Sequence, residues 1–218
     1  HINLIIEEEF SVFLENNIRF NNSISTFNSY ETLKNKANFL FSIGGDGTLL
    51  KAVTYVRDSD IPILGINTGR LGFISSISAD QIDEAITDVL KENYKINERT
   101  VLELSTSKKL FKDKNFALNE VAVSKKDTSS MIRIDAYVDD EFLNTYWADG
   151  LVVSTPTGST GYSLSCGGPI IIPGTNNIII TPNAPHNLNV RPIVIDGNSV
   201  VKLKVEDREQ LALVSLDS

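Results

Sequence analysis

The spacing of hydrophobic positions changes near residue 100. In residues 1–99, short apolar runs alternate with stretches of helical period. Asn38–Ile43 (NFLFSI) is an apolar run closed by Gly44-Gly45, the form of a buried strand, and Thr48–Val56 sets Leu49, Ala52, Val53 and Val56 at helical spacing. A second buried strand is predicted over Ile61–Ile66, with Pro62 near its start, leading into the turn-rich stretch NTGRLGF, Asn67–Phe73. Ser78–Tyr94 predicts a helix. Ser78 and Gln81 stand at capping-box spacing, and Ile82, Ala85, Ile86, Val89 and Leu90 share one face. Strand–helix alternation of this kind predicts an α/β domain with a parallel, Rossmann-like sheet covered by helices.

Residues 100–218 read mostly as strands. Val101, Leu104, Ala117, Val121 and Val123 lie in short β-prone stretches, and Met131–Val138 alternates at Ile132, Ile134, Ala136 and Val138. Further strands are predicted over Leu151–Ser154, Ile178–Thr181, Val190–Ile195, Val200–Val205 and Leu211–Leu216, separated by Gly, Asn, Asp and Pro. This is the pattern of an all-β, sandwich-like domain. The change at Asn97–Thr100 lacks the composition of a long linker, so two closely packed domains are expected, 1–99 and 100–218.

Composition narrows the function. With 218 residues, 41% hydrophobic and 22% charged, the chain is ordinary globular protein, not a disordered or collagen-like polymer. Asp and Glu number 28 against 20 Lys and Arg, a formal charge of −8, which argues against a nucleic-acid or anionic-membrane surface. An anionic ligand must therefore be held locally. One cysteine, Cys166, makes no intrachain disulfide, and with only His1 and His186 beside it no Cys/His zinc cluster forms, so a cytoplasmic chain is expected. No apolar run approaches the roughly 20 residues that span a bilayer, and HINLIIEEEF lacks the order of a signal peptide. Because the first residue is His1 and not Met, the original amino terminus is expected to lie outside the sequence.

Four segments carry chemistry. In Gly44-Gly45-Asp46-Gly47-Thr48, between a strand and a helix start, glycines let backbone N–H groups approach a phosphate closely. Asp46 complicates that reading, since a carboxylate among phosphates needs a divalent metal or a proton to accept. A plain Gly-Asp-Gly turn reads equally well. The segment is neither a P-loop, lacking GK[ST], nor a dinucleotide fingerprint, because Leu50 replaces the third glycine. The second segment, Thr155–Ser163 (TPTGSTGYS) followed by LSCGGP, offers hydroxyl donors, small residues and the aromatic face of Tyr162, and favours a binding loop over a flexible one. The third, Asn119-Glu120, is a polar pair in the apolar run FALNEVAV; either an exposed strand residue or a partner for a ribose diol fits Glu120. The fourth, Trp147-Ala148-Asp149-Gly150, sets a carboxylate at a strand entry or marks a simple turn. His186 reads as a hydrogen-bonded structural histidine, because no G-x-S-x-G elbow accompanies it.

In this order, GGDGT, NTGRLGF, NE and DGLVVSTPTGSTGYSLSCGGP resemble the NAD kinase family from about residue 38 to residue 196. GGDGT by itself is shared with diacylglycerol and sphingosine kinases. The resemblance implies an α/β domain followed by a β-rich domain with the site between them, and phosphoryl transfer from ATP or polyphosphate to the 2′-hydroxyl of the adenosine ribose of NAD. It implies that Asp46 accepts the hydroxyl proton with Gly47 beside it, and that Asn119 and Glu120 bind ribose and adenine. It further implies that Asp149 contacts the second nucleotide half, that Thr160, Gly161, Tyr162 and Ser165 line the base and phosphates, and that Ala184 touches the nucleotide. Gly44, Gly45, Thr48, Lys51 and Arg70 are the phosphate-binding candidates, Mg²⁺ is the expected cofactor, and a homodimer or homotetramer is the expected assembly. Lys51 and Arg70 fit a solvated helix residue and a surface ion pair equally well. Gly161 departs from the Ala of many members, and Trp147 from a polar residue. The chain also ends at Ser218, where the family continues with a further site residue. A lipid kinase of the GGDGT superfamily and a non-catalytic NAD-binding sensor are the alternatives.

Overall fold

The computed structural model describes residues 3–17, 24–69, 72–75, 77–108, 110–126, 130–206 and 212–217. The chain divides into two compact units, His1–Ile96 and Asn97–Ser218.

The first unit alternates strands and helices: β1 (Ile5–Glu7), α1 (Glu8–Asn17), β2 (Ser25–Phe27), α2 (Tyr30–Leu33), β3 (Leu40–Ile43), α3 (Asp46–Val56), β4 (Ile63–Asn67), β5 (Ile77–Ser78) and α4 (Ile82–Leu90). All described pairing is parallel, β1 with β2 and β3 with β4 with β5. One apolar cluster joins the two small sheets. Phe27, Leu33, Leu40, Ala52, Val56 and Ile61 come from β2, α2, β3, α3 and the approach to β4.

Two expectations need correction here. β3 is not buried on both faces: Leu40 and Ser42 point inward, while Phe41 and Ile43 are exposed. The Ser78–Tyr94 helix is shorter than its pattern. A single 3-10 turn (Ala79–Gln81) precedes α4, and the chain leaves the helix after Leu90 with Asn93 donating back to Asp88. The capping pair does form, with the Ser78 N–H and hydroxyl both donating to Gln81 Oε1. No α4 side chain is fully buried, so its apolar face is not part of the core.

The second unit contains β6 (Leu102–Glu103), β7 (Phe116–Ala117), β8 (Glu120–Lys125), β9 (Ile132–Val138), β10 (Glu141–Ala148), β11 (Gly150–Ser154), α5 (Tyr162–Ser165), β12 (Asn177–Asn183), β13 (Ile193–Asp196), β14 (Val201–Glu206) and β15 (Ala212–Leu216). A five-stranded antiparallel sheet runs β13-β12-β11-β8-β15, and a three-stranded one runs β10-β9-β14. Val123, Leu151 and Ile180 of the larger sheet meet Ile132, Ile134, Ala136 and Tyr146 of the smaller in one core, which makes the unit a sandwich. β11 is buried at every residue and paired on both edges, and it holds the middle of the larger sheet.

β10 falls where no strand was expected. Its sequence EFLNTYWA breaks the alternation with Asn144 and Thr145, and a bulge between Phe142 and Asn144 resets the register. No helix among the described residues is long and apolar enough to cross a membrane.

Ile134 is wholly buried between the two sheets. Ile134→Ala is expected to lower unfolding free energy by about 2–5 kcal/mol, through lost transfer energy and the cavity left behind, as read from urea unfolding followed by circular dichroism.

Candidate functional site

The glycine loop of the first unit is built by the turn from β3 into α3. Gly44 takes a positive φ of 151° and its N–H donates to Ile66 O at 2.9 Å, so the loop is hung from β4. A side chain there would overlap Thr48. Gly45 caps α3, and beyond both Gly45 and Gly47 the space that a Cβ would fill is empty for 4 Å. Their backbone is thus open to an approaching group at a helix amino terminus.

The Asp46 carboxylate is gripped by the segment after β4. Its Oδ2 accepts the Phe73 N–H at 2.9 Å, and its Oδ1 accepts those of Ser75 and Ile74 at 3.1 and 3.3 Å. Gly72 passes so close that any Cβ would overlap the carboxylate. The second glycine of NTGRLGF therefore exists to let the chain wrap Asp46. Upstream in the same segment, Asn67 Oδ1 accepts the Gly69 N–H at 2.8 Å, an Asx turn.

The remaining candidates of this unit are less alike. Thr48 lies in the first turn of α3, exposed, its N–H donating to Gly45 O. Lys51 lies one turn further on, with its Nζ 2.7 Å from Glu9 and 3.4 Å from Glu7. The hydrogen bond to Glu9, more than any other influence, holds its pKa above the ordinary lysine range. Arg70 lies outside the described residues.

In the second unit, the sequence motifs converge at one end of β11. Ser154 pairs with Glu120 across the β11/β8 ladder, which brings the Thr/Gly loop directly onto Asn119-Glu120. Thr155 then bonds twice: its N–H donates to Asn119 O at 2.9 Å and its hydroxyl to Leu118 O at 2.6 Å. Gly158 packs on the Asn119 carbonyl so tightly that a Cβ would overlap it. Gly161 is looser. A Cβ there would sit 3.3 Å from Gly158 O and 3.4 Å from Glu120 Oε2.

Glu120 is not an exposed strand residue: it is 1% accessible, so the reading as a solvated side chain is corrected. Asn119 Oδ1 is buried and meets no hydrogen-bond partner among the described residues. Most loop hydroxyls are consumed internally. Ser159 bonds Pro156 O and the Ile171 N–H, Thr160 bonds Thr157 O, and Ser163 bonds Thr181. Tyr162 opens α5, and its hydroxyl accepts the Asn183 amide at 2.8 Å, which fixes the ring. Burial first, then the neighbouring Cys166, Asp149 and Glu120, raise its pKa. Burial likewise raises the Cys166 thiol, so it stays protonated at neutral pH. Ser165 ends α5 and is exposed.

Asp149 joins β10 to β11 and pairs with Lys125 at 2.6 Å. Ala184 follows β12 exposed, at φ 46°, a conformation rare for a residue with a side chain. His186 is exposed; its backbone N–H donates to Trp147 O at 2.8 Å, and its ring meets no hydrogen-bond partner among the described residues. The expected structural role of its ring is therefore corrected.

Thr155 lay within the segment read as a binding loop, without a role of its own; a residue that holds the site and was missed from sequence is Asp217, whose carboxylate accepts the N–H groups of Leu118, Asn119 and Glu120 at 2.8, 2.6 and 3.2 Å. A single Asp directly after a strand carries no local signal of such a role. The described residues do not fit a resident metal ion. No group of three or more His, Cys, Asp or Glu side chains comes together, and both Asp46 oxygens already accept N–H bonds.

Comparison with known proteins gives concordant matches. Residues 6–94 match the ATP-NAD kinase N-terminal domain and residues 118–218 the ATP-NAD kinase C-terminal domain. The NAD kinase of Flavobacterium psychrophilum is 53% identical over 220 residues, covering 100% of this chain and 75% of that protein. Among solved structures, yeast NADH kinase complexed with NADH superposes with a TM-score of 0.86 at 28% identity, over 99% of this chain and 66% of the yeast chain. An NAD kinase from Archaeoglobus fulgidus in complex with ATP gives 0.73 at 28% identity, over 98% and 86%. The chain thus spans about three quarters of the bacterial relative and about two thirds of the yeast one.

The two loop glycines differ sharply in what they tolerate. Gly158→Ala drives a methyl into the Asn119 main chain and is expected to cost about 1–3 kcal/mol or more, whereas Gly161→Ala meets near-ordinary contacts and should stay within about 1 kcal/mol of the parent. Parallel urea titrations of the two variants check the contrast.

Proposed function

The chain belongs to the NAD kinase family, and we propose that it transfers a phosphoryl group from ATP or polyphosphate to the 2′-hydroxyl of the adenosine ribose of NAD, giving NADP. The observation that carries the reading is the state of the Asp46 carboxylate. A carboxylate offers about four lone-pair sites, and three are taken by the N–H groups of Phe73, Ile74 and Ser75. One acceptor site is left, on Oδ2. A group held so firmly that still accepts one hydrogen bond suits the orientation of a hydroxyl and the acceptance of its proton during attack on a phosphorus atom.

The other residues take roles that their surroundings support. The open backbone of Gly45 and Gly47, with Gly44 and Thr48 shaping the turn, receives donor phosphates at the amino terminus of α3. Lys51 is the weaker phosphate ligand, because a phosphate must displace Glu9 and Glu7 from it. Arg70 enters only through the family resemblance. Asn119 and Glu120 bind ribose and adenine: the unpartnered Asn119 Oδ1 is a buried acceptor awaiting a donor, which a ribose hydroxyl or adenine amine supplies. Tyr162 is the stacking platform. Thr160, Gly161, Ser165 and Ala184 line the same nucleotide, and Asp149 meets its second half.

Magnesium enters as part of the substrate, bound to the donor phosphates, since the described residues form no cage for it. We place the reaction in the cytoplasm of a homodimeric or homotetrameric enzyme, a reading that rests on the family resemblance and on the single cysteine.

Incubation with NAD, Mg²⁺ and either ATP or polyphosphate, with NADP detected by an NADP-specific dehydrogenase, tests the reaction. Asp46→Asn should lower kcat by about 10²–10⁴-fold and leave NAD affinity within about threefold; equal loss of both would contradict the proton-accepting role. Gly72→Ala, which displaces the carboxylate without changing its chemistry, should lower kcat by about 10²-fold, again read against NAD affinity measured by calorimetry.

A further inference from the structure

We propose that Asp217 is a positioning residue for the dinucleotide, acting through the backbone of residues 118–120. This inference rests on the assignment of Asn119 and Glu120 to NAD binding. Asp217 follows β15, whose last residue, Leu216, pairs with Val121, so the chain arrives beside the start of β8. There Asp217 adopts a positive φ of 51° and its N–H donates to Glu120 O at 3.0 Å. Its carboxylate then spans three consecutive N–H groups, Oδ2 on Leu118 and Oδ1 on Asn119 and Glu120.

The opposite side of the same segment is held by Thr155, through Asn119 O and Leu118 O. Both the donors and the acceptors of the Leu118–Asn119 main chain are therefore fixed, one set from β15 and the other from the Thr/Gly loop. The side chains on that segment inherit the fixed direction. Asn119 presents its buried amide and Glu120 its buried carboxyl beside Gly161. Without the Asp217 carboxylate three N–H groups lose their acceptor, and the segment must rotate to find others. Asp217 touches neither NAD nor the donor in this scheme, so its effect falls on the dinucleotide alone.

The experiment compares wild type, Asp217→Ala, Asp217→Asn and a control, Val214→Ala, which shaves the core side of the same strand. NAD binding is measured by calorimetry, KM is measured for both substrates, and thermal unfolding is recorded for all four proteins. Asp217→Ala should weaken NAD binding by about ten- to a hundredfold and raise KM for NAD likewise, with KM for the phosphoryl donor within about twofold of wild type. Asp217→Asn retains one oxygen but turns an amide donor toward an N–H group, so it should lie between, at about fivefold or more. Val214→Ala should lose thermal stability and leave NAD affinity within about twofold.

The proposal is overturned if Asp217→Ala binds NAD within twofold of wild type, or if both substrates weaken together. It is also overturned if Val214→Ala loses as much NAD affinity as Asp217→Ala. Where the alanine variant shows no cooperative unfolding, the asparagine variant decides: unchanged NAD affinity overturns the proposal. Failure of wild type to bind NAD at all would instead remove the assignment of Asn119 and Glu120 on which the inference rests.

Discussion

Strand β11 has no free face and no free edge, and the second unit is arranged around that constraint. Each residue from Gly150 to Ser154 is buried, with β8 bonded along one side and β12 along the other. Gly150 is required at the entry, because the Val123 carbonyl lies 2.5 Å from where a Cβ would stand. A strand so confined cannot slip, since a shift of one residue would turn every side chain to the wrong sheet face. Its exit is fixed with equal firmness. Ser154 is delivered opposite Glu120, and the loop that follows has nowhere to lie except across Asn119. A segment rich in Ser, Thr and Gly is thereby made into a packed platform, because its hydroxyls spend their hydrogen bonds on the chain before any ligand arrives.

The two units solve a similar problem with the same group. Where a backbone stretch leaves ladder geometry, its N–H groups need acceptors, and a carboxylate can serve several at once because it accepts and never donates. Asp46 gathers the N–H groups of Phe73, Ile74 and Ser75, and Asp217 gathers those of Leu118, Asn119 and Glu120. The consequences differ. For Asp46 the carboxylate itself becomes rigid, so the backbone serves the side chain. For Asp217 the segment becomes rigid, so the side chain serves the backbone and, through it, the two residues beside Gly161.

What was legible in the sequence follows from how local each cause is. β11 and β12 were legible because their burial imposes short apolar runs, β14 because Val201, Leu203 and Val205 alternate with charged residues, and the turn from β3 into α3 because glycine marks it. β10 was not, because adjacent Asn144 and Thr145 and the bulge after Phe142 break its alternation, and Thr145 finds its partner in Asp135, ten residues back, outside any local window. The apolar face of α4 was legible as a pattern, and its lack of full burial was not, since periodicity states which side chains share a face and not what covers them. At the site, GGDGT and the Thr/Gly loop stood out by composition. The grip on Asp46 depends on residues nearly 30 positions away, and that of Asp217 on residues nearly 100 away. The ion pairs of Lys51 were equally out of reach, because its carboxylate partners lie more than 40 residues upstream.

The acidity of the chain bears on how phosphates are held. At a net charge of −8 the long-range field opposes dinucleotide and triphosphate alike, so nothing is gained at a distance. Among the described residues, the lysines near the motifs are already paired, Lys51 with Glu9 and Glu7 and Lys125 with Asp149. What remains at the glycine loop is neutral: open main chain at Gly45 and Gly47, and the amino-terminal end of the α3 dipole. Such donors act over a few ångströms and demand a fitted oxygen, whereas an exposed lysine accepts an anion from many directions. A site assembled from them trades speed of capture for selectivity by shape. That trade is compatible with the tight glycine packing, because backbone donors work only where the chain carrying them cannot move.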